Sequence, residues 1–306
     1  MPLLVVPAAR RLAGVLQPRP AAWLLAVCGV VLAGCSAAAL ALLCAAGALR
    51  LGPVAALDDL TLPLVGDGPA ASPPVTWAAG ALLTACAVAV VRTVRSQAGE
   101  LAAARRAAAA THGSAGDLTV LGDARPDAFA LPGRPGRIVV TAGMLRALDG
   151  AEREALFAHE RAHLTGRHHL FLAAAELAAV CHPLLRGLRA PLAYALERWA
   201  DEAAATAVGD RSLTARAIGR AALAGAAAPA PHRPRIAPAA ATGPVPRRVA
   251  ALLHGDPSTR RPAPRTRRPA AAAVLLCLCV SAGSALDAAA DLHGTIETAQ
   301  GESGPR

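Results

Sequence analysis

Lysine is absent: all 31 basic residues are arginine. That excludes a Walker-type phosphate loop, a Schiff-base lysine and a Ser-x-x-Lys acylation site. Aromatic residues make up only 2% of the 306 positions and charged residues 17%, against 54% hydrophobic. The mean hydropathy of +0.41 is too high for an ordinary soluble domain and points to membrane segments. Seven cysteines stand at 28, 35, 44, 86, 181, 277 and 279. An odd count lying mostly inside apolar runs argues against a disulfide framework. Alanine-rich stretches are so common in this chain that they are weak evidence for any one structure.

The net charge of +10 falls in alternating blocks separated by apolar runs. Residues 1–20 are basic (Arg10, Arg11, Arg19), and 50–74 are acidic (Asp58, Asp59 and Asp67 against Arg50). Residues 92–268 hold 26 arginines against 14 acids, and 287–306 are acidic again. The apolar runs between them are 21–49, 75–91 and 270–286, each long enough or nearly so to span a bilayer. Short arginine-rich flanks stay in the cytoplasm. The expected topology is therefore a short cytoplasmic N-terminus, an outer loop at 50–74, a cytoplasmic domain at 92–268 and an acidic outer tail. The alternative for the first run is a leader, with Leu32-Ala33-Gly34-Cys35 as a lipoprotein-like box; the apolar stretch from Cys35 to Leu49 speaks against it. Met1–Leu16 reads as an interfacial amphipathic helix or the remnant of a longer one.

Within the cytoplasmic domain, residues 98–112 read as a helix leaving the membrane. Leu118–Leu121 and Arg137–Thr141 have strand character, and Ala128–Leu131 with Ile138–Thr141 reads as a hairpin around the turn 132–136. Asp149 and Glu152 form a capping box that opens a helix running to about Thr165, with Gly166 as its stop. Leu170–Cys181 reads as a buried helix rather than a fourth span. Further helices are expected over Leu192–Val208 and Val245–His254, with Pro-rich linkers at 225–246 and 256–269.

His159-Glu160-Arg161-Ala162-His163 is an H-E-x-x-H sequence. On a helix, residues four apart point the same way, so two imidazoles can share one tetrahedral Zn2+. Glu160 is rotated by about 100° and can reach a metal-activated water as general base. A catalytic zinc needs a third protein ligand and an open position. Glu197 in Glu197-Arg198-Trp199-Ala200-Asp201 is the candidate third ligand, and Asp201, one turn later, can orient a ligand histidine. H-E-x-x-H also arises by chance, but the capped helix and the downstream acidic motif favour zinc. His168 and His169 are candidates for polarising a substrate carbonyl, or else surface residues. The strand segments before the helix could pair with an extended substrate or simply pack the core.

Pro126–Ala130, Pro132-Gly133, Ile138–Thr141, His159–His163 and Glu197–Asp201 together resemble the integral-membrane zinc metallopeptidases related to the beta-lactam sensor antirepressors. The resemblance implies a mainly α, membrane-anchored α+β zincin-like domain with a small β-hairpin or sheet and about three transmembrane helices. It implies a gluzincin peptidase facing the cytoplasm, with a winged-helix or helix-turn-helix repressor, or the protein itself, as substrate in regulatory members. It also carries the ligand roles to His159, His163 and Glu197, the base to Glu160 and the orienting carboxylate to Asp201. The chain departs from the sensors in lacking a penicillin-binding domain, and covalent beta-lactam binding is excluded without Ser-x-x-Lys. Three other readings remain open. One is a membrane quality-control or prenyl-protein-type gluzincin, and another is a scaffold with a silent site. The third is nucleic-acid binding through Arg260–Arg268; topology and anionic-lipid attraction explain those arginines better, so no direct nucleic acid is expected.

Overall fold

The computed structural model describes residues 16–48, 72–110, 114–226 and 244–254, with isolated positions elsewhere. The expected third span at 270–286, the tail at 287–306, most of the 50–74 loop and most of both Pro-rich linkers lie outside the described residues.

Two long helices come first, α1 (Pro18–Ala48) and α2 (Pro73–Ala109). Both are long and apolar enough to cross a membrane. They pack against each other, and at Gly47 a Cβ would overlap the Thr76 side chain. The apolar run 75–91 and the separately expected helix at 98–112 form one continuous element, because residues 92–98 contain no proline or glycine to break it. The outer surfaces of the two helices carry bare apolar side chains: Trp23, Val27 and Val30 on α1, and Trp77, Leu82, Val88 and Val91 on α2.

The chain then forms four short strands, β1 (Ser114–Ala115), β2 (Leu118–Leu121), β3 (Ala128–Leu131) and β4 (Arg137–Thr141). Their spatial order is β1-β2-β4-β3. The β3–β4 hairpin closes around the 132–136 turn as the sequence suggests, with Ala128 opposite Val140. The pairing of β2 with β4 is parallel, Leu118 against Ile138, which the strand pattern alone did not indicate. Alternate residues face opposite layers. Phe129, Leu131 and Val139 meet Ala104 and Ala108 of α2. Ala128 and Val140 meet Leu148, Leu156 and Ile218 on the other side.

The remaining helices are α3 (Ala142–Ala147), α4 (Gly150–Thr165), α5 (His168–Cys181), α6 (Arg189–Val208), α7 (Arg211–Ala226) and α8 (Val245–Leu253), with a 3-10 turn at Pro183–Leu188. Two of these, α3 and α7, were not expected. The α4 capping box is formed in full: Asp149 accepts from Glu152 N at 2.9 Å, and Glu152 accepts from Asp149 N at 3.0 Å. Gly209, left-handed at φ 77°, ends α6. Of the segment Leu170–Cys181, expected to be buried, Phe171, Ala178 and Ala179 are buried while Leu170 is exposed, and α5 rests on α1 and α2. The six described cysteines are free.

Candidate metal centre

Helix α6 packs along α4, so Glu197 and Asp201 of α6 come to lie over the two histidines of α4. His159 and His163, one turn apart, point their Nε2 atoms at each other across 3.0 Å. Glu197 completes the cluster: Oε2 is 3.5 Å from His159 Nε2 and Oε1 is 3.6 Å from His163 Nε2. The three donor atoms lie within 4.8 Å of one another, and all three residues are buried. This donor set, two imidazoles and a carboxylate, is what a divalent zinc-type ion takes.

Each imidazole is held from behind. His159 Nδ1 lies 3.0 Å from Asp201 Oδ1, close enough for the carboxylate to hold the ring from that side. His163 Nδ1 lies 2.6 Å from His168 Nδ1. With the proton on His163 Nδ1, His168 accepts it, and His163 Nε2 is left as a donor to the metal. Burial first, then the charges of His159 and His169, push His168 down to about 3, so it is neutral and able to accept. Burial also drives His163 well below its ordinary value, aided by His159, His168 and Arg248. His159 goes the other way. Burial opposes its charge, but Asp201 and Glu197 outweigh that and lift it to about 9. The carboxylates thus favour a charged His159, while His163 and His168 stay neutral.

The reason His168 reaches His163 lies in the link between α4 and α5. Gly166 is not left-handed; Arg167 is, at φ 51°. Glycine is needed at 166 because a Cβ there would sit 2.6 Å from His168 Cδ2 and 2.9 Å from the Ala162 carbonyl oxygen. The other candidate, His169, faces away and lines a separate cavity with Arg105 and Arg167. The structure therefore brings His159, His163, Glu197, Asp201 and His168 together, with Glu160 fully buried beside them, and leaves His169 outside the cluster.

One residue of the cluster escaped the sequence reading. Arg248 of α8 is fully buried, and its guanidinium donates to Asp201 Oδ2 at 2.8 Å and Oδ1 at 2.6 Å. Its Nη1 is also 2.8 Å from Glu197 Oε2. Burial opposes its charge, but Asp201, Glu197 and Glu160 hold it more firmly protonated than usual. Asp201 in turn is held at about 2: burial raises it, and Arg248 and His159 more than offset that. The available signal was positional. Arg248 occupies the inward face of a short helix, four residues before buried Leu252.

The metal cluster is also tied to α1. His168 packs at a tilt against Trp199 with ring centroids 4.6 Å apart, and Trp199 lies under the Arg19 guanidinium at 5.3 Å. Phe171 meets Trp23 edge-on at 4.9 Å.

Residues 89–186 match the profile of peptidase family M48. The matched stretch runs from α2 through the sheet, α4 and α5; it includes both histidines and ends before Glu197 and Arg248. No curated protein and no solved structure matches the chain. The match supports a metallopeptidase that acts on protein or peptide substrates. It also implies a divalent metal, usually zinc, for which His159, His163 and Glu197 are the candidate site.

Proposed function

We propose that the chain is a membrane-anchored zinc endopeptidase that cleaves a cytoplasmic regulatory protein, such as a helix-turn-helix repressor. The observation that carries the catalytic part is the buried meeting of two imidazole Nε2 atoms and a carboxylate, each imidazole fixed through its other nitrogen. In this reading His159, His163 and Glu197 hold Zn2+, which supplies Lewis acidity at the scissile carbonyl. Glu160 takes a proton from the attacking water and returns it to the leaving amine. Asp201 and His168 are positioning residues that fix the tautomers of the two histidines. His168 is committed to His163 and so does not polarise the substrate carbonyl; His169 faces the other way.

The anchor is supported by the bare apolar faces of α1 and α2, too extensive for a water-exposed surface. Arginine asymmetry supports a cytoplasmic catalytic domain and a third span at 270–286. The repressor substrate rests on the resemblance of the 126–141 run and the two metal motifs to the antirepressor peptidases.

The test compares new protein N-termini in cells carrying the wild type and Glu160→Gln, with zinc content measured on both purified proteins. Glu160→Gln should retain zinc and lose most cleavage, and His159→Ala should lose zinc. Cuts in one DNA-binding repressor that vanish in Glu160→Gln support the regulatory reading. Cuts scattered over membrane proteins replace it with quality control. Unaltered cleavage by Glu160→Gln overturns the mechanism.

A further inference from the structure

The geometry points to a second binding site: a basic cavity beside the metal helix that receives an acidic side chain of the peptide substrate. The inference rests on the peptidase reading above and adds a substrate preference to it. The cavity, about 660 Å³, lies between Arg105 at the end of α2, the Pro132–Arg134 turn after β3, and Leu164, Arg167 and His169 at the α4–α5 junction. That volume suits a side chain or two. Leu164 follows His163 directly in the chain, and His169 follows His168, so the cavity wall and the metal cluster are opposite sides of one short junction. β3, which leads into the turn, is the outer strand of the sheet.

Three arginines from three separate segments line the cavity, and no carboxylate does among the described residues. Arg125, Arg161, Arg198, Arg211 and Arg220 each have an acidic partner. Arg105, Arg134 and Arg167 have none among the described residues; Arg105 donates through Nε to the Pro132 carbonyl at 2.9 Å, which fixes it at the rim. Arg167 is held in a left-handed conformation that a non-glycine residue seldom adopts. Burial first, then the charges of Arg105 and Arg167, push His169 below its ordinary value, a sign that the positive field is felt across the cavity. An unpaired, fork-shaped cationic set is the recognition chemistry for a carboxylate.

A lipid phosphate would satisfy the same chemistry, but distance argues against it. Arg105 lies 14 residues beyond Val91, where the apolar run ends, on one unbroken helix. That places it up to about 21 Å from the hydrocarbon edge. The headgroup layer is only roughly 5–8 Å deep.

The experiment uses the full-length zinc protein in detergent and matched fluorogenic peptides that differ only in Glu against Gln at each position near the scissile bond. The wild type should favour Glu at one position by roughly tenfold or more in kcat/KM, the scale of a hydrogen bond to a charged group. Arg134→Ala and Arg167→Ala should each collapse that ratio toward one, and Arg134→Glu should invert it in favour of Gln. Both positions are exposed, so the variants should fold. A wild-type ratio near one at every position, or an unchanged ratio in the variants, overturns the inference. Binding of the same labelled peptides to Glu160→Gln by fluorescence anisotropy separates the two claims. A Glu preference in binding that depends on Arg134, without cleavage by the wild type, keeps the cavity and sinks the peptidase reading. Cleavage without any Glu preference does the reverse.

Discussion

Replacing Arg248 with methionine strips the metal centre of a buried positive charge while keeping most of the side-chain volume. The centre holds three buried carboxylates, Glu160, Glu197 and Asp201. Arg248 supplies one balancing charge, and in the zinc reading a divalent cation would supply the other two. Without Arg248, Asp201 loses a bidentate partner at 2.6 and 2.8 Å and Glu197 loses a contact at 2.8 Å, all where water does not reach. Removing one partner of a buried ion pair typically costs about 3–5 kcal/mol, because the other charge is stranded. For a domain of this size that is a fall in Tm of about 6–20 °C. The assay is thermal unfolding of the zinc-loaded full-length protein in detergent, for Arg248→Met, Asp201→Asn and the double variant. The double variant should recover part of the loss, with a coupling of about 1–3 kcal/mol, since a neutral amide in place of the Asp201 carboxylate no longer needs a cation. A single Arg248→Met variant within about 0.5 kcal/mol of wild type, the range of ordinary surface changes, would refute the charge-balance argument. So would strict additivity of the two substitutions.

His168→Leu should weaken zinc binding by about 10–100-fold, the usual cost of removing a group that orients a ligand histidine. His168→Gln, which keeps an acceptor, should lose less; equal affinities by competition with a chromogenic chelator would remove His168 from the site. Gly166→Ala should act at a distance through the same contact, because the new Cβ must push the His168 ring off its place. A stability loss of about 1–3 kcal/mol is expected from the overpacking, together with a lower zinc affinity, and a variant that loses stability alone would separate packing from metal binding.

The candidate metal site was legible because its signal is local: two histidines one turn apart on a capped helix, and Glu197 and Asp201 one turn apart further on. The hairpin was legible for a similar reason, since Pro132–Gly136 can only turn. Arg248 was not, because its role depends on α8 lying against α6, a contact between positions 47 residues apart. The helix α7 was hidden by composition. Its alanines fit a helix, but so does most of this chain, and its Asp210 cap, accepting from Ser212 N at 2.8 Å and Leu213 N at 2.9 Å, was the one distinctive mark. Gly166 was read correctly as a boundary for a different reason from the usual one: the left-handed turn falls on Arg167, and the glycine makes room for an imidazole. The parallel β2–β4 pairing had no local signal at all, because short apolar runs do not encode the direction of their partner.

Helix α1 is part of the catalytic domain's core as well as a candidate anchor. Its first half buries Ala21, Ala22, Leu25 and Leu32 against Phe171, Leu185, Leu188, Leu192 and Leu196. Those partners belong to α5, the 3-10 turn and α6, the elements that carry His168 and Glu197. If α1 served only to tether the domain, its removal would leave an intact enzyme still carried by α2. The packing argues otherwise: a chain beginning at residue 72 would bare a continuous apolar face beneath the metal cluster and leave Trp199 without Arg19. Truncating even Leu25, 2% exposed, to alanine should cost about 2–5 kcal/mol. The fragment is therefore expected to aggregate or to bind zinc poorly when expressed alone, and to recover on co-expression with residues 1–48 as a separate segment. A monomeric 72–268 fragment with full zinc content and an unfolding transition like that of the whole chain would show that the α1 interface is dispensable.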